Sequence, residues 1–208
     1  MEFVHPVRRL LLPLHHSMRR RKVKMFFDRM APRSSDSLLD IGGAIGMSGE
    51  FAELYEYFPN MTTLNLEPDP HGCGHATFVP GDARKMPFAD SSFDYVFSNA
   101  VIEHVGELAE QKKMADEIVR VAKKGFFIAT PNSHFPIDPH SYLPFFHLLS
   151  TSARKRLAAG LLKSWIGEYE AYWMLSKKQM RQLFPTARIT TTLDRTSIIA
   201  YWCSPILR

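Results

Sequence analysis

Residues 38–46 read Leu-Leu-Asp-Ile-Gly-Gly-Ala-Ile-Gly, a short apolar run that carries Asp40 and then breaks into glycine. A turn of this kind lets the backbone come close to a ligand, because Gly42 and Gly46 accept positive φ and Ala44 adds only a methyl group. A tight turn with no ligand is the plain alternative. Glu67 follows about 20 residues later, at the end of the next apolar segment, where a carboxylate can accept hydrogen bonds from both hydroxyls of a ribose. Its neighbour Asp69 could substitute for it. Asp82 follows the third apolar segment, at the same edge, where it can accept a proton from an adenine amino group. The chain has neither a phosphate-cradling lysine after the turn nor a complete G-x-G-x-x-G.

A second set of residues suits proton transfer. His104, His134 and His140 fall in loops on the same side of the expected sheet. In "PNSHFPIDPH" the prolines hold the segment extended, and Asp138 and His140 are spaced to face one cavity. A histidine within reach of an acceptor's oxygen or nitrogen is the natural general base; a histidine satisfied within the structure is the bland reading. His71-Gly-Cys73-Gly-His75 offers ligand atom types at two-residue spacing, but no second pair accompanies it and no metal is expected. Aromatics at 135–173 (Phe135, Tyr142, Phe145, Phe146, Trp165, Tyr169, Tyr172 and Trp173) could wall an apolar acceptor pocket or pack a core.

The elements that must position these residues alternate. Strands are expected at 37–41, 62–66, 76–80, 93–98 and 125–130, with helical spacing at 48–58 and 108–122 between them. Strands joined by helical crossovers must be parallel. Residues 187–193 and 197–203 lie close enough for an antiparallel hairpin. The proline-crowded 131–175 breaks the alternation and is expected to form a cap inserted after the fifth strand. Ser176 and Gln179 form a capping-box pattern for a last helix that stops at Pro185.

With Asp82, the segment "GDARKMPFADSSFDYVFSNAVIEHV" (81–105) sharpens the reading. From residues 36 to 130 the chain resembles the class I S-adenosylmethionine-dependent methyltransferases, in particular those like the ubiquinone and menaquinone pathway enzymes. The resemblance implies an α/β fold, a Rossmann-like, mostly parallel seven-stranded sheet with an antiparallel last strand and helices on both faces. It implies S-adenosylmethionine as cofactor. Asp40, Gly42, Gly43, Ala44 and Gly46 would shape the pocket for its methionine part, Glu67 would hold the ribose, and Asp82 with Ala83 would meet the adenine. Ser98 and Asn99 would line the strand end near the sulfonium, with His104 at the mouth. The acceptor would be a small or lipid-linked molecule, with a glycan lipid suggested by a weaker likeness of the 131–140 loop, and methyl transfer would go to oxygen or nitrogen.

The 208 residues are expected to form one domain, 1–208, with 45% apolar and 23% charged residues typical of a globular protein. Two separated cysteines, Cys73 and Cys203, fit a reduced, cytoplasmic compartment. The net charge of +5 is concentrated in the first 35 residues, where Arg8, Arg9, Arg19, Arg20, Arg21, Lys22, Lys24 and Arg29 face only Glu2 and Asp28 up to residue 30. Leu10–Leu12 and Leu14 are too short a run to span a bilayer. This basic arm is a solvated cap helix, a peripheral contact with anionic lipid at the inner face of a membrane, or a contact with nucleic acid. A non-catalytic module that docks through the arm is the alternative to an enzyme. Nucleic-acid methylation is disfavoured, because no Asn/Asp-Pro-Pro-aromatic tetrad for a flipped base is present.

Overall fold

In a computed structural model, residues 6–43, 51–67, 74–167 and 169–204 are described, with side chains from residue 17 onward. The chain begins with α1 (Pro6–Met30) and continues through β1 (Leu38–Ile41), α2 (Ala52–Tyr57), β2 (Met61–Asn65), β3 (Thr77–Pro80) and β4 (Phe93–Asn99). There follow α3 (Leu108–Val121), β5 (Ala122–Pro131), a 3-10 turn at Phe146–Leu148, α4 (Thr151–Ala159), α5 (Lys163–Ile166), α6 (Lys177–Leu183), β6 (Arg188–Thr191) and β7 (Ser197–Cys203).

The seven strands form one sheet in the order β3-β2-β1-β4-β5-β7-β6. β1 pairs in parallel with β2 and β4, and β7 runs antiparallel to both β5 and β6. All four residues of β1 are buried, as a strand covered on both faces requires. Adjacent residues divide between two cores. Leu39, Phe126 and Ile198 pack toward α3 and α6, while Leu38, Phe127 and Ile199 pack toward α1 and α2. The expected capping box at the start of α6 is present, with the Ser176 hydroxyl accepting from Gln179 N and the Gln179 side chain accepting from Ser176 N.

The arm belongs to the fold more deeply than its charge suggested. Val23, Phe26 and Met30, spaced three and four residues apart, lie on the buried face of α1. The Phe26 ring meets Phe58, Tyr95, Phe97 and Phe127 edge-on at centroid distances of 5.6–6.1 Å. No helix among the described residues is long and apolar enough to cross a membrane.

Residues 132–175 leave the sheet and return to it, with Asn132 bridging to Leu175 where the excursion closes. Inside it Ile137 bridges to Pro144, and the Trp165 indole N–H donates to Ser141 O at 2.7 Å.

If α1 is integral to the core, Phe26→Ala should lower unfolding free energy by about 3–5 kcal/mol, as expected for a buried phenylalanine replaced by alanine. Urea unfolding checks this; a loss below 1 kcal/mol would mean the helix only lies on the surface.

Candidate functional site

The strand order reverses between β1 and β4, and in an open α/β sheet the ligand crevice lies at such a point, beyond the carboxyl ends of the strands. Register pairs Asp40 with Phe97 and Ile41 with Ser98, which sets Gly42 level with Asn99. Gly42 is tied to β2 through its N–H to Leu64 O at 2.8 Å, and it adopts φ +74°.

The bare backbone here also serves internal packing. A Cβ at Gly42 would sit 2.4 Å from Val101 Cγ2, and one at Gly43 would sit 2.4 Å from Asp40 Oδ2 and 2.8 Å from the Tyr55 hydroxyl. Both glycines are thus required by the protein's own side chains, whatever else their backbone meets. Ala44 and Gly46 lie outside the described residues.

Asp40 is buried and accepts a hydrogen bond from the Tyr55 hydroxyl at 3.2 Å. Burial pushes its carboxyl up to about 7, against the partial stabilisation of the ionised form by Tyr55. Glu67 stands exposed just beyond β2. Asp82 is engaged: Arg84 Nε and Nη2 donate to its carboxylate at 2.6–3.0 Å, as does Arg84 N at 2.8 Å. The hydrogen bonds from Arg84 hold the Asp82 carboxyl below its ordinary range. Arg84 reaches on to Glu110 at 3.0 Å, so an adenine approaching Asp82 meets an ion-pair network. Ala83 beside it is nearly buried.

Two expectations change at the end of β4. Ser98 does not line the crevice; it is fully buried and its hydroxyl donates to Ile41 O at 3.3 Å, sewing β4 to β1. Asn99 is at the edge, but its Oδ1 accepts from Lys22 Nζ at 2.9 Å. Lys22, four residues before Phe26 on α1, is buried, and burial lowers its ammonium to about 8 despite the opposing charge of Glu103.

On the far side of this edge the cap brings His104 and His140 together. Their Nε2 atoms are 3.2 Å apart, with the rings nearly perpendicular. His140 stacks on Tyr172 at 3.9 Å between centroids. Burial, then the neighbouring His104, lowers the His140 imidazole to about 4, so it is neutral at ordinary pH.

Asp138 is placed differently from expectation. Its side chain is wholly buried and does not share the mouth with His140. One oxygen accepts from His140 N, Ser141 N and the Ser141 hydroxyl at 2.7–2.9 Å, and the other accepts from the Tyr172 hydroxyl at 2.5 Å. Burial, and the hydrogen bond to Asp138, drive the Tyr172 phenol strongly upward. Arg154 also lies over Tyr172, 4.2 Å from its ring centroid, and donates to Tyr172 O at 2.9 Å. Asp138 therefore fixes the loop that aims His140. His134, by contrast, is exposed and stays away from the pair.

The sequence reading passed over Glu103. It is completely buried; its Oε2 accepts from Thr130 Oγ1 at 2.9 Å, and its Oε1 has no partner among the described residues. Burial raises its carboxyl above the ordinary value. A carboxylate oxygen of Glu103 and one ring nitrogen from each of His104 and His140 lie within 4.8 Å of one another. The available signal was an acid directly after the apolar Val101-Ile102 at a strand's carboxyl end.

Residues 39–129 match a family model described as a methyltransferase domain. The demethylmenaquinone methyltransferase of Anoxybacillus flavithermus is 33% identical over 44% of this chain and 38% of its own length. That of Staphylococcus haemolyticus is 27% identical over 74% of this chain and 64% of its own length. The chain thus spans less than two thirds of either relative. The crystal structure of magnesium protoporphyrin IX methyltransferase from Synechocystis with bound SAH superposes with a TM-score of 0.60 at 13% identity, over 97% of this chain and 88% of that one, which speaks for the fold. Over residues 39–129 the chain is thus similar to methyltransferase domains.

In this methyltransferase fold the crevice at Gly42 and the histidine pair occupy the same edge, separated by the loop from Asn99 to His104. The sheet is the seven-stranded, mostly parallel one that the resemblance implied.

Asp40 supplies a pH prediction. Its folded pKa is raised, so between the unfolded value near 3.8 and about 7 the folded state holds a proton that the unfolded chain has lost. Stability from this group is present below pH 3.8 and declines as pH rises to 7. Asp40→Asn should gain stability relative to the parent across that interval and run parallel above it. Chemical unfolding at a series of pH values tests this; parallel curves throughout would show that Asp40 ionises normally.

Proposed function

We propose that this protein transfers the methyl group of S-adenosylmethionine to an oxygen or nitrogen of a small-molecule or lipid-linked acceptor. The observation that carries the reading is the histidine pair held by a buried carboxylate scaffold at the edge where the class I fold opens its crevice. On this reading Asp40, Gly42, Gly43, Ala44 and Gly46 surround the methionine part, and Glu67 takes the ribose. Asp82 and the Ala83 backbone take the adenine, with Arg84 giving up or sharing its hold on Asp82. Asn99 stands at the sulfonium end, and Lys22 sets its orientation. Ser98 acts from behind, through β1.

Methyl transfer requires the acceptor atom to approach the methyl carbon opposite sulfur, and alignment supplies much of the acceleration. The protein must also receive a proton when a hydroxyl or ammonium reacts. On this reading His140 receives it, with His104 as its partner and Asp138 as the residue that positions it. The two demethylmenaquinone methyltransferases among the relatives support a lipid-linked acceptor. A peripheral contact with anionic lipid is favoured by the exposed Arg20, Arg21 and Lys24 on one stretch of α1.

Calorimetry with S-adenosylhomocysteine should give saturable binding that Glu67→Ala and Asp82→Ala each weaken about tenfold or more, the order of one lost charged hydrogen bond. Unchanged affinity in both would remove those assignments, and no binding by the parent would remove the reading.

Lipid contact makes a separate forecast. The protein should co-sediment with phosphatidylserine-containing vesicles and release at high salt, with Arg20→Glu/Arg21→Glu abolishing the effect. Equal recovery with phosphatidylcholine vesicles would exclude an electrostatic role for α1.

A further inference from the structure

Glu103, His104 and His140 combine features that a hydrogen-bonded network leaves unexplained. The two Nε2 atoms face each other at 3.2 Å. Donors bound at about 2.0–2.1 Å to one ion, at angles between octahedral and tetrahedral, stand about 3–3.4 Å apart. The Nδ1 atoms point outward, and each lies 4.0 Å from a carboxylate oxygen, His140 from Asp138 and His104 from Glu170. Neither Nδ1 makes a hydrogen bond among the described residues.

In a neutral pair joined by one Nε2–H, one imidazole must turn the bare lone pair of its Nδ1 toward a carboxylate. An ion accepting both Nε2 lone pairs puts a proton on both Nδ1 atoms instead. Each N–H then faces an anion, the arrangement of metal-bound histidines with carboxylates behind them. A shared extra proton would satisfy the two rings equally, but it would leave Glu103 Oε1 buried without a partner among the described residues. That carboxylate is completely buried, its Oε1 is unpartnered, and one of its oxygens lies within 4.8 Å of one nitrogen of each ring. Among the described residues no lysine or arginine nitrogen stands within ion-pair distance of it. Both histidine side chains retain about a quarter of their exposure, so the cluster is open to an entering ion and to an acceptor on its outer side.

We propose that Glu103, His104 and His140 form a site for a divalent first-row transition ion, with two imidazoles and one carboxylate as ligands and the remaining positions open toward the acceptor mouth. Two nitrogens and one oxygen suit zinc, iron, cobalt or nickel over magnesium or calcium, which prefer oxygen alone. A hydroxyl coordinated at the open side is acidified by such an ion. This deepens the acceptor-side reading above and rests on it for the ion's use, though not for its binding.

The test uses the full chain, stripped by chelator and titrated with Zn²⁺ by calorimetry and with Co²⁺ by visible absorption. One equivalent should bind, with ligand-field bands in the cobalt form. His104→Gln, His140→Gln and Glu103→Gln should each weaken binding at least tenfold while keeping the parent's far-ultraviolet spectrum. Absence of binding by the parent would overturn the proposal. So would equal affinity in all three folded variants, which would place the ion elsewhere, as at His71, Cys73 and His75. Should a variant fail to fold, Asp138→Asn, which leaves the ligands intact, serves in its place with a tenfold loss expected and an unchanged affinity contrary. Binding of S-adenosylhomocysteine, measured on the same preparation, separates the two readings: its loss with zinc binding retained refutes methyl transfer alone.

Discussion

Parallel strands cannot be joined by tight turns, and each crossover must lie on one face of the sheet or the other. β1 shows the result. Leu38, Leu39, Asp40 and Ile41 are all buried, two neighbours hold the strand's edges, and its side chains feed two separate cores. Polar chemistry is therefore displaced from the faces to the ends of the strands. At the reversal between β1 and β4 the register sets Gly42 level with Asn99, with Asp40 just behind them.

The rim is crowded with buried polar groups that depend on one another. Asp40 rests under Gly43 and Tyr55, Ser98 ties to Ile41, Lys22 reaches Asn99, and Glu103 reaches Thr130. Charges placed in so apolar a setting are costly unless they are paired or neutralised. Asp40 and Glu103 respond by holding protons more tightly, and Lys22 by holding its proton less tightly. The same desolvation strengthens whatever electrostatic contact a bound cofactor or ion makes there.

The segment after β5 adds a second layer with its own anchor. Asp138 gathers two backbone N–H groups and two hydroxyls, and with them the position of His140 over Tyr172. A residue read from its spacing as facing the cavity is instead the post on which the loop turns. It fixes the backbone of His140 directly.

Hydrophobic periodicity and turn chemistry are local, so the chain order of strands and helices, the hairpin of β6 and β7 and the Ser176 capping box could be read from the residues alone. The resemblance over 36–130 supplied the class and the strand ends that carry Asp40, Asn99 and His104. Tertiary packing decided the rest. Helical spacing marks Lys22 as sharing a face with Phe26 and Met30, yet only the docked helix shows that its ammonium ends at Asn99. Ser98 and Asn99 are adjacent, and strand alternation sends one inward and leaves the other at the rim. Glu103, His104 and His140 meet across 36 residues of intervening chain because the loop pinned by Asp138 folds back over β4. No sequence spacing encodes that distance; it exists only once both cores have formed and burial has assigned each polar group its neighbours.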